Sequence, residues 1–311
     1  MKDLSNSELS SSPPFAWGKR TYIMGVINLT PDSFSGDGML AGPSEPPERL
    51  AELVLAKAFQ FVKDGADILD VGGESTRPGA PSVSVEEELS RVVPVIKMLA
   101  LAGLKTLISV DTSKAAVAEA ALEVGANWVN DVWGFMADHA IAKVVKKYQV
   151  PVILMHNRLR NTPTMEKAEV ASQTGLGGRY LGTHYGNLIE DIKAELMTSV
   201  TLAHAAGIPD GHIILDPGIG FGKTVEQNLE LLDRLDELRS LGYPLLVGPS
   251  RKSFIGYTLN LPPDQRFEGT AAAVAVSIVR GADMIRVHDV GAMARVVRMT
   301  DAIVRRGGQA R

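Results

Sequence analysis

The chain has 311 residues, 45% of them hydrophobic and 22% charged, which is enough for one large α/β domain or two small ones. A net charge of −4 argues against non-specific binding to nucleic acid, and no apolar run approaches the ~20 residues that a membrane span requires. The absence of cysteine excludes disulfides, a thiolate nucleophile and a zinc–thiolate site.

Residues 1–19 (MKDLSNSELSSSPPFAWGK) are rich in Ser and Pro, with neither the apolar h-region of a secretory signal nor any arginine before Arg20. They read as a disordered N-terminal extension, and the expected location is cytoplasmic. From there short apolar runs alternate with helical patterns. TYIMGVIN (21–28) is followed by a Gly/Pro/Asp loop and then by 47–65, where Leu50, Leu53, Val54, Ala58, Phe61 and Val62 recur at helical spacing and Gly65 suits a C-cap. DILDVGG (67–73) precedes a helix near 85–102. TLISVD (106–111) precedes another running to Gly125, with Thr112 or Ser113 as its cap. NWVND (127–131) leads to a helix near 137–147, and PVILMH (151–156) to a long polar loop over 157–182. The remaining expected pairs are a helix near 184–206 before IILD (213–216), one near 225–241 before PLLVG (244–248), and an Ala-rich one near 268–280 before DMIRVH (283–288). A last helix covers roughly 290–306.

Eight strand–helix units in about 280 residues match a (β/α)8 TIM barrel, here a single domain over residues 20–311. An open doubly wound sheet is the alternative, but its G-x-G-x-x-G fingerprint is missing after the first strand.

In a barrel the loops after the strands build the site, and these strands end on Asn28, Gly72–Arg77, Asp111, Asn130–Asp131, Met155–His156, Asp216, Ser250–Lys252 and Arg286–His288. Ile213–Leu215 delivers the Asp216 carboxylate to the edge of a dry core, where a bare charge is costly unless N–H donors meet it. Each group also has a plainer reading. Asp216 suits an Asp-Pro-Gly turn, Asp111 a helix cap and Asn130 a loop brace, while Arg286 suits an internal pair with Asp216 or Asp111. Asp131 reads as structural. Convergence on one mouth moves the set toward a ligand more than any single member does. GIGFGKT (218–224) resembles a phosphate-binding loop, but that spacing requires glycine where Pro217 stands. Thr76 and Arg77, with Arg251 and Lys252, are better placed to hold an anion.

MGVINLTPDSFSGDG (24–38), LDVGGESTRPGA (69–80), SVDT (109–112), NDV (130–132), DPGIGFGKT (216–224), GPSRKSFIG (248–256) and IRVHDV (285–290) together resemble dihydropteroate synthase, in that family's order and from about Tyr22 onward. The first loop departs slightly, reading SFSGDG where SFSDGG is more usual, and the N-terminal extension is unmatched.

The resemblance implies a barrel, often homodimeric, that joins p-aminobenzoate to 6-hydroxymethyl-7,8-dihydropterin diphosphate and releases diphosphate and 7,8-dihydropteroate in folate synthesis. It implies a pterin pocket of Asp111, Asn130, Met155, Asp216, Lys252 and Arg286, with Asp111, Asp216, Lys252 and Arg286 as the catalytic set. Diphosphate contacts would come from Asn28, Thr76, Arg77, Arg286 and His288, with Asn28 holding Mg2+. The aminobenzoate pocket would use Phe34, Pro78, Phe221, Ser250 and Lys252. A dissociative step fits the lack of a Ser–His or Cys–His pair, with loops 1 and 2 closing against water. Two rivals share the acidic pocket: a methyltransferase barrel serving a corrinoid partner, and a non-catalytic pterin-binding barrel. The first has no use for STRPG and SRKS, and the second would be expected to lose Asn28, Asp32, Thr76 and Arg77. The helix 269–280, apolar on more than one face, fits either a homodimer interface or packing within the monomer.

Overall fold

The structure is a computed structural model and describes residues 15–29, 47–75, 82–159, 164–165, 176, 178–182 and 184–305. Eight parallel strands form its frame: β1 (Tyr22–Asn28), β2 (Ile68–Gly72), β3 (Leu107–Asp111), β4 (Trp128–Asp131), β5 (Val152–Met155), β6 (Ile213–Asp216), β7 (Leu246–Val247) and β8 (Met284–Val287). Sequential strands pair from β1 to β6, and β8 joins β1 to β7. A bridge between Leu215 and Leu245, with Leu215 N donating to Pro244 O at 2.9 Å, brings β6 to the β7 side and completes the expected barrel.

Alternation along the strands sorts the side chains into two environments. Outward residues pack under the surrounding helices in the main core, which includes Ile23, Leu69, Val71, Val110, Val129, Leu154, Leu215 and Val287. Inward residues near the strand starts, including Tyr22, Met24, Ile68, Trp128, Ile153, Ile214, Leu246 and Met284, form a separate apolar floor. The helices are α1 (Pro47–Asp64), α2 (Val85–Leu101), α3 (Ala115–Glu123), α4 (Ala140–Tyr148), α5 (Leu188–Ala205), α6 (Val225–Asp233), α7 (Ser253–Leu259), α8 (Phe267–Val279) and α9 (Val290–Val304).

Several expectations need correction. The helix read over 225–241 stops at Asp233, where a 3-10 segment, Leu235–Leu241, takes over. Its i,i+3 geometry eclipses Leu235 and Leu238 and buries both. Neither Thr112 nor Ser113 caps α3; Lys114 occupies the cap position, and Asp138 accepts the Ala115 N–H at 2.8 Å. The loop after β7 contains α7, which apolar periodicity did not reveal in seven residues. The polar connection 157–182 pairs Thr164–Met165 with Tyr180–Gly182 as a short antiparallel ladder; most of its other residues lie outside the described set.

The lead-in also differs from expectation. Residues 1–14 lie outside the described set, but Phe15–Lys19 pack beneath the barrel. Phe15 stacks on Tyr22 with ring centroids 4.1 Å apart and leans on Trp128, while Trp17 meets Tyr22 edge-on. Tyr22 Oη accepts the Ala16 N–H at 2.8 Å. The physical reason is the apolar floor itself, which would otherwise face water. Phe15→Ala is therefore expected to cost about 2 kcal/mol and lower the thermal midpoint by about 5 °C, with turnover unchanged. An unaltered melting curve would remove Phe15 from the barrel's stability.

Candidate active site

Above the floor the inward positions turn polar. Adjacent registers place Asn28 beside Gly72, Gly72 beside Asp111 and Asp111 beside Asn130, so one row crosses four strands. Met155 and Asp216 are neighbours on β5 and β6. Gly72 leaves the space Asp111 needs, since a Cβ there would lie 3.3 Å from the Asp111 Cβ.

Arg286 ties this row to a residue that sequence reasoning missed. Its Nε donates to Asp70 Oδ2 at 2.6 Å and its Nη2 to Asp111 Oδ2 at 2.5 Å. Asp70, with no exposure, also accepts the Asn130 Nδ2–H at 3.0 Å. Asn130 thus braces this interior network rather than its own loop, and Asp111 pairs with Arg286 rather than capping α3. The available signal was a charged residue inside the apolar ILDVG, which a buried strand carries only if a partner faces it.

Asp216 Oδ1 accepts the Gly218 N–H at 2.7 Å. The other oxygens, Asp111 Oδ1 and Asp216 Oδ2, receive no hydrogen bond among the described residues, so two buried carboxyls each keep one acceptor for a ligand. Burial pushes Asp111 up to about 7 against the pull of Arg286, and it also raises Asp216 against Lys252. Lys252, drawn down to about 8 by burial, donates to Ile219 O and lies 4.4 Å from the centroid of the Phe221 ring. Phe221, Met155 and Val132 form a small apolar wall with Trp133 and Leu159 packed against it.

The other expected groups divide. His288 Nδ1 sits 3.0 Å from Ser250 Oγ, joining a diphosphate candidate to an aminobenzoate candidate and correcting the expectation that no Ser–His contact exists, since the pair comes together only across β7 and β8. Arg251, expected to meet an anion, grips Asp289 instead, Nε at 2.9 Å and Nη2 at 2.6 Å. Asp131 is structural, accepting the Trp133 and Phe135 N–H groups at 2.9 and 2.7 Å. Asp32, Phe34, Thr76, Arg77 and Pro78, like the closing loops that carry them, lie outside the described residues. The base of the second loop is nevertheless defined. Glu74 accepts the Val83 N–H at 3.0 Å, and Lys114 spans Glu74 and the fully buried Glu88, 2.5 Å from each. Among the described residues no three His, Cys, Asp or Glu side chains converge as a metal cage, so any metal here must take oxygens from elsewhere.

A barrel whose mouth offers two buried carboxyl acceptors, an amide and two cations suits a flat, nitrogen-rich ligand bearing an anionic group. The sequence profile of the family described as pterin binding enzyme matches residues 24–288, and the chain belongs to that family. Dihydropteroate synthase from Clostridium beijerinckii is 48% identical over 296 residues, 95% of this chain and 98% of its own. The crystal structure of dihydropteroate synthase from Clostridium difficile in the presence of pteroic acid has a TM-score of 0.80 and 45% identity, covering 94% of this chain and 100% of that one. The Xanthomonas albilineans dihydropteroate synthase with 4-aminobenzoic acid gives a TM-score of 0.77 and 37% identity, covering 92% and 94%. Within the family the chain falls with the dihydropteroate synthases, transferases of folate biosynthesis.

The raised carboxyls give a pH dependence whose sign is fixed. Between the ordinary 3.8 and about 7, folded Asp111 keeps a proton that the unfolded chain has lost, so its contribution to stability falls as pH rises through this window. A ligand N–H that donated to Asp111 would favour the ionised carboxyl and expel that proton. Affinity for such a ligand, a pterin included, is therefore expected to rise with pH up to about 7 and level off above it, with proton release seen by calorimetry below that value in two buffers of different ionisation enthalpy. Binding with no proton exchange would show that neither carboxyl changes state.

Proposed function

We propose that the Asp111–Asn130–Asp216 edge receives the amino and ring N–H groups of 6-hydroxymethyl-7,8-dihydropterin diphosphate, with Lys252 on its O4/N5 side and Met155 as an apolar wall. The observation that carries this reading is the pair of unengaged oxygens, Asp111 Oδ1 and Asp216 Oδ2, on carboxyls buried at one mouth. A ligand that donates to both relieves a desolvation cost that the protein leaves unmet. Arg286, with Nε and Nη2 held by Asp70 and Asp111, presents its remaining edge to the pterin face and the diphosphate. His288 lies on the anion side, and the resemblance adds Thr76 and Arg77 as anion contacts. Phe221, Ser250 and Lys252 flank the p-aminobenzoate, to which the resemblance adds Phe34 and Pro78.

The Asn28 amide, facing inward at the top of β1, suits Mg2+, a cation that usually takes few protein oxygens and draws the rest from phosphate and water. When bound there, the ion would neutralise charge on the leaving diphosphate. The protein's own groups do the rest. The methylene C–O bond breaks first and its electron pair leaves with diphosphate. The pterin ring spreads the resulting positive charge, which Asp111 and Asp216 favour. The arylamine lone pair then forms the C–N bond and the nitrogen loses a proton to water or diphosphate. A weakly basic amine needs orientation here more than deprotonation.

A cytoplasmic homodimer is part of the same proposal. Phe267, Val276 and Val279 of α8 and Met299 and Ile303 of α9 are exposed, which supports a partner on that side. No helix among the described residues is long and apolar enough to cross a membrane.

The decisive assay measures diphosphate release from the pterin diphosphate with and without p-aminobenzoate; release that ignores the amine would overturn this reading. Asp216→Asn keeps an acceptor for the Gly218 N–H, so the barrel should fold while pterin affinity falls by about 10–100-fold. Undiminished affinity in a titration would take Asp216 out of the pocket.

A further inference from the structure

A second ionic cluster lies on the outer side of β5 and β6, apart from the groups assigned above. Lys223, the lysine of the phosphate-loop-like GFGKT, is 2% exposed. Its Nζ donates to Gly218 O at 2.9 Å and Phe221 O at 3.1 Å, and sits 2.9 Å from His156 Nδ1. His156 Nε2 faces Glu195 Oε2 at 3.0 Å, off the axis of a good hydrogen bond, and Glu195 also accepts from Arg158 Nε at 2.8 Å.

The charge of this cluster follows from counting donors. A carboxylate opposite Nε2 favours the tautomer with its proton on Nε2, which leaves Nδ1 as an acceptor. Three acceptors then surround Nζ, and only an ammonium has three hydrogens to give. Burial draws Lys223 well down and His156 down to about 4, so the pair holds at most a single positive charge. The acceptor count places it on Lys223. No hydrogen remains for a phosphate.

The loop around this ammonium is tightly wound. Gly218, Gly220 and Gly222 have φ of 69°, 82° and 62°, and a Cβ on Gly218 would fall 1.9 Å from His156 O. So close a turn directs carbonyls inward, where they need donors. The residues whose carbonyls Lys223 holds also carry mouth groups. Gly218 N fixes Asp216 Oδ1, and Phe221 forms the wall beside Lys252.

We propose that Lys223 is a positioning residue whose buried ammonium fixes loop 217–222, aiming Asp216 at the pterin and Phe221 at the aminobenzoate. This rests on the roles given to Asp216 and Phe221 above.

Lys223→Met keeps the stem and removes all three donors. KM for p-aminobenzoate should rise about tenfold and pterin affinity fall severalfold, with a smaller change in kcat. In Lys223→Ala the missing atoms, Cγ to Nζ, correspond to propylammonium, which should restore KM where 1-propanol does not. Equal recovery with propanol, or an unchanged KM in Lys223→Met, would overturn the proposal. Should either variant fold poorly, the thermal midpoint with the same two additives decides: selective stabilisation by propylammonium supports the role and equal stabilisation removes it. Phe221→Ala separates the two readings. If it leaves KM for p-aminobenzoate unchanged, the pocket assignment fails; if it raises KM while Lys223→Met does not, only the positioning role fails.

Discussion

The guanidinium of Arg286, gripped by Asp70 and Asp111 inside the barrel, is the interaction on which the site depends. A cation buried among strands is tolerated only with its charge matched and its hydrogens placed, and here Nε and Nη2 each meet a different carboxylate. That arrangement joins β8 to β2 and β3, strands that are not all neighbours in the sheet. It also orients Asn130 through Asp70. The site is thus a polar layer of the barrel core, set on an apolar layer that closes the floor. Residues two positions apart on one strand, such as Ile68 and Asp70 or Met284 and Arg286, belong to these different layers because only alternate side chains point inward.

Three lysines illustrate how placement, rather than residue type, decides a role. Lys114 ties the base of the second loop to α2 by spanning Glu74 and Glu88. Lys223 divides its donors between one tight loop and His156, and Lys252 stands at the mouth, half-buried, above the Phe221 ring. Polar clusters therefore support the mouth from two sides, so the strand-end groups need little reorganisation on binding.

The fold was legible because eight apolar runs, each long enough to be buried and each followed by a helical pattern, leave little choice of architecture. Asp111, Asn130, Asp216 and Arg286 were legible because each terminates or nearly terminates such a run. Asp70 was not, since it lies mid-strand and the groups that pair with it come from residues 130 and 286, far along the chain. Arg251 misled for the same reason: sequence shows a cation in a loop but not Asp289 across from it. Phe15 and Trp17 were submerged in a Ser/Pro-rich composition, although two aromatic side chains beside the first strand suffice to cover its floor.

The balance of charge at the mouth bears on the proposed chemistry. Asp70, Asp111 and Asp216 stand against Arg286 and Lys252, so with all three carboxyls ionised the pocket has an excess of negative charge. Burial opposes that excess in the resting protein by raising Asp111 and Asp216. In the proposed complex a pterin that donates to both would offset that desolvation and favour the ionised forms. In that complex the negative potential would lie close to where the ring's positive charge develops, in a low-dielectric setting. An associative displacement, with little charge on the ring, would gain less from such a pocket. In the proposed scheme the acidic edge would thus favour bond cleavage ahead of amine attack, the order in which a weakly nucleophilic arylamine is no handicap.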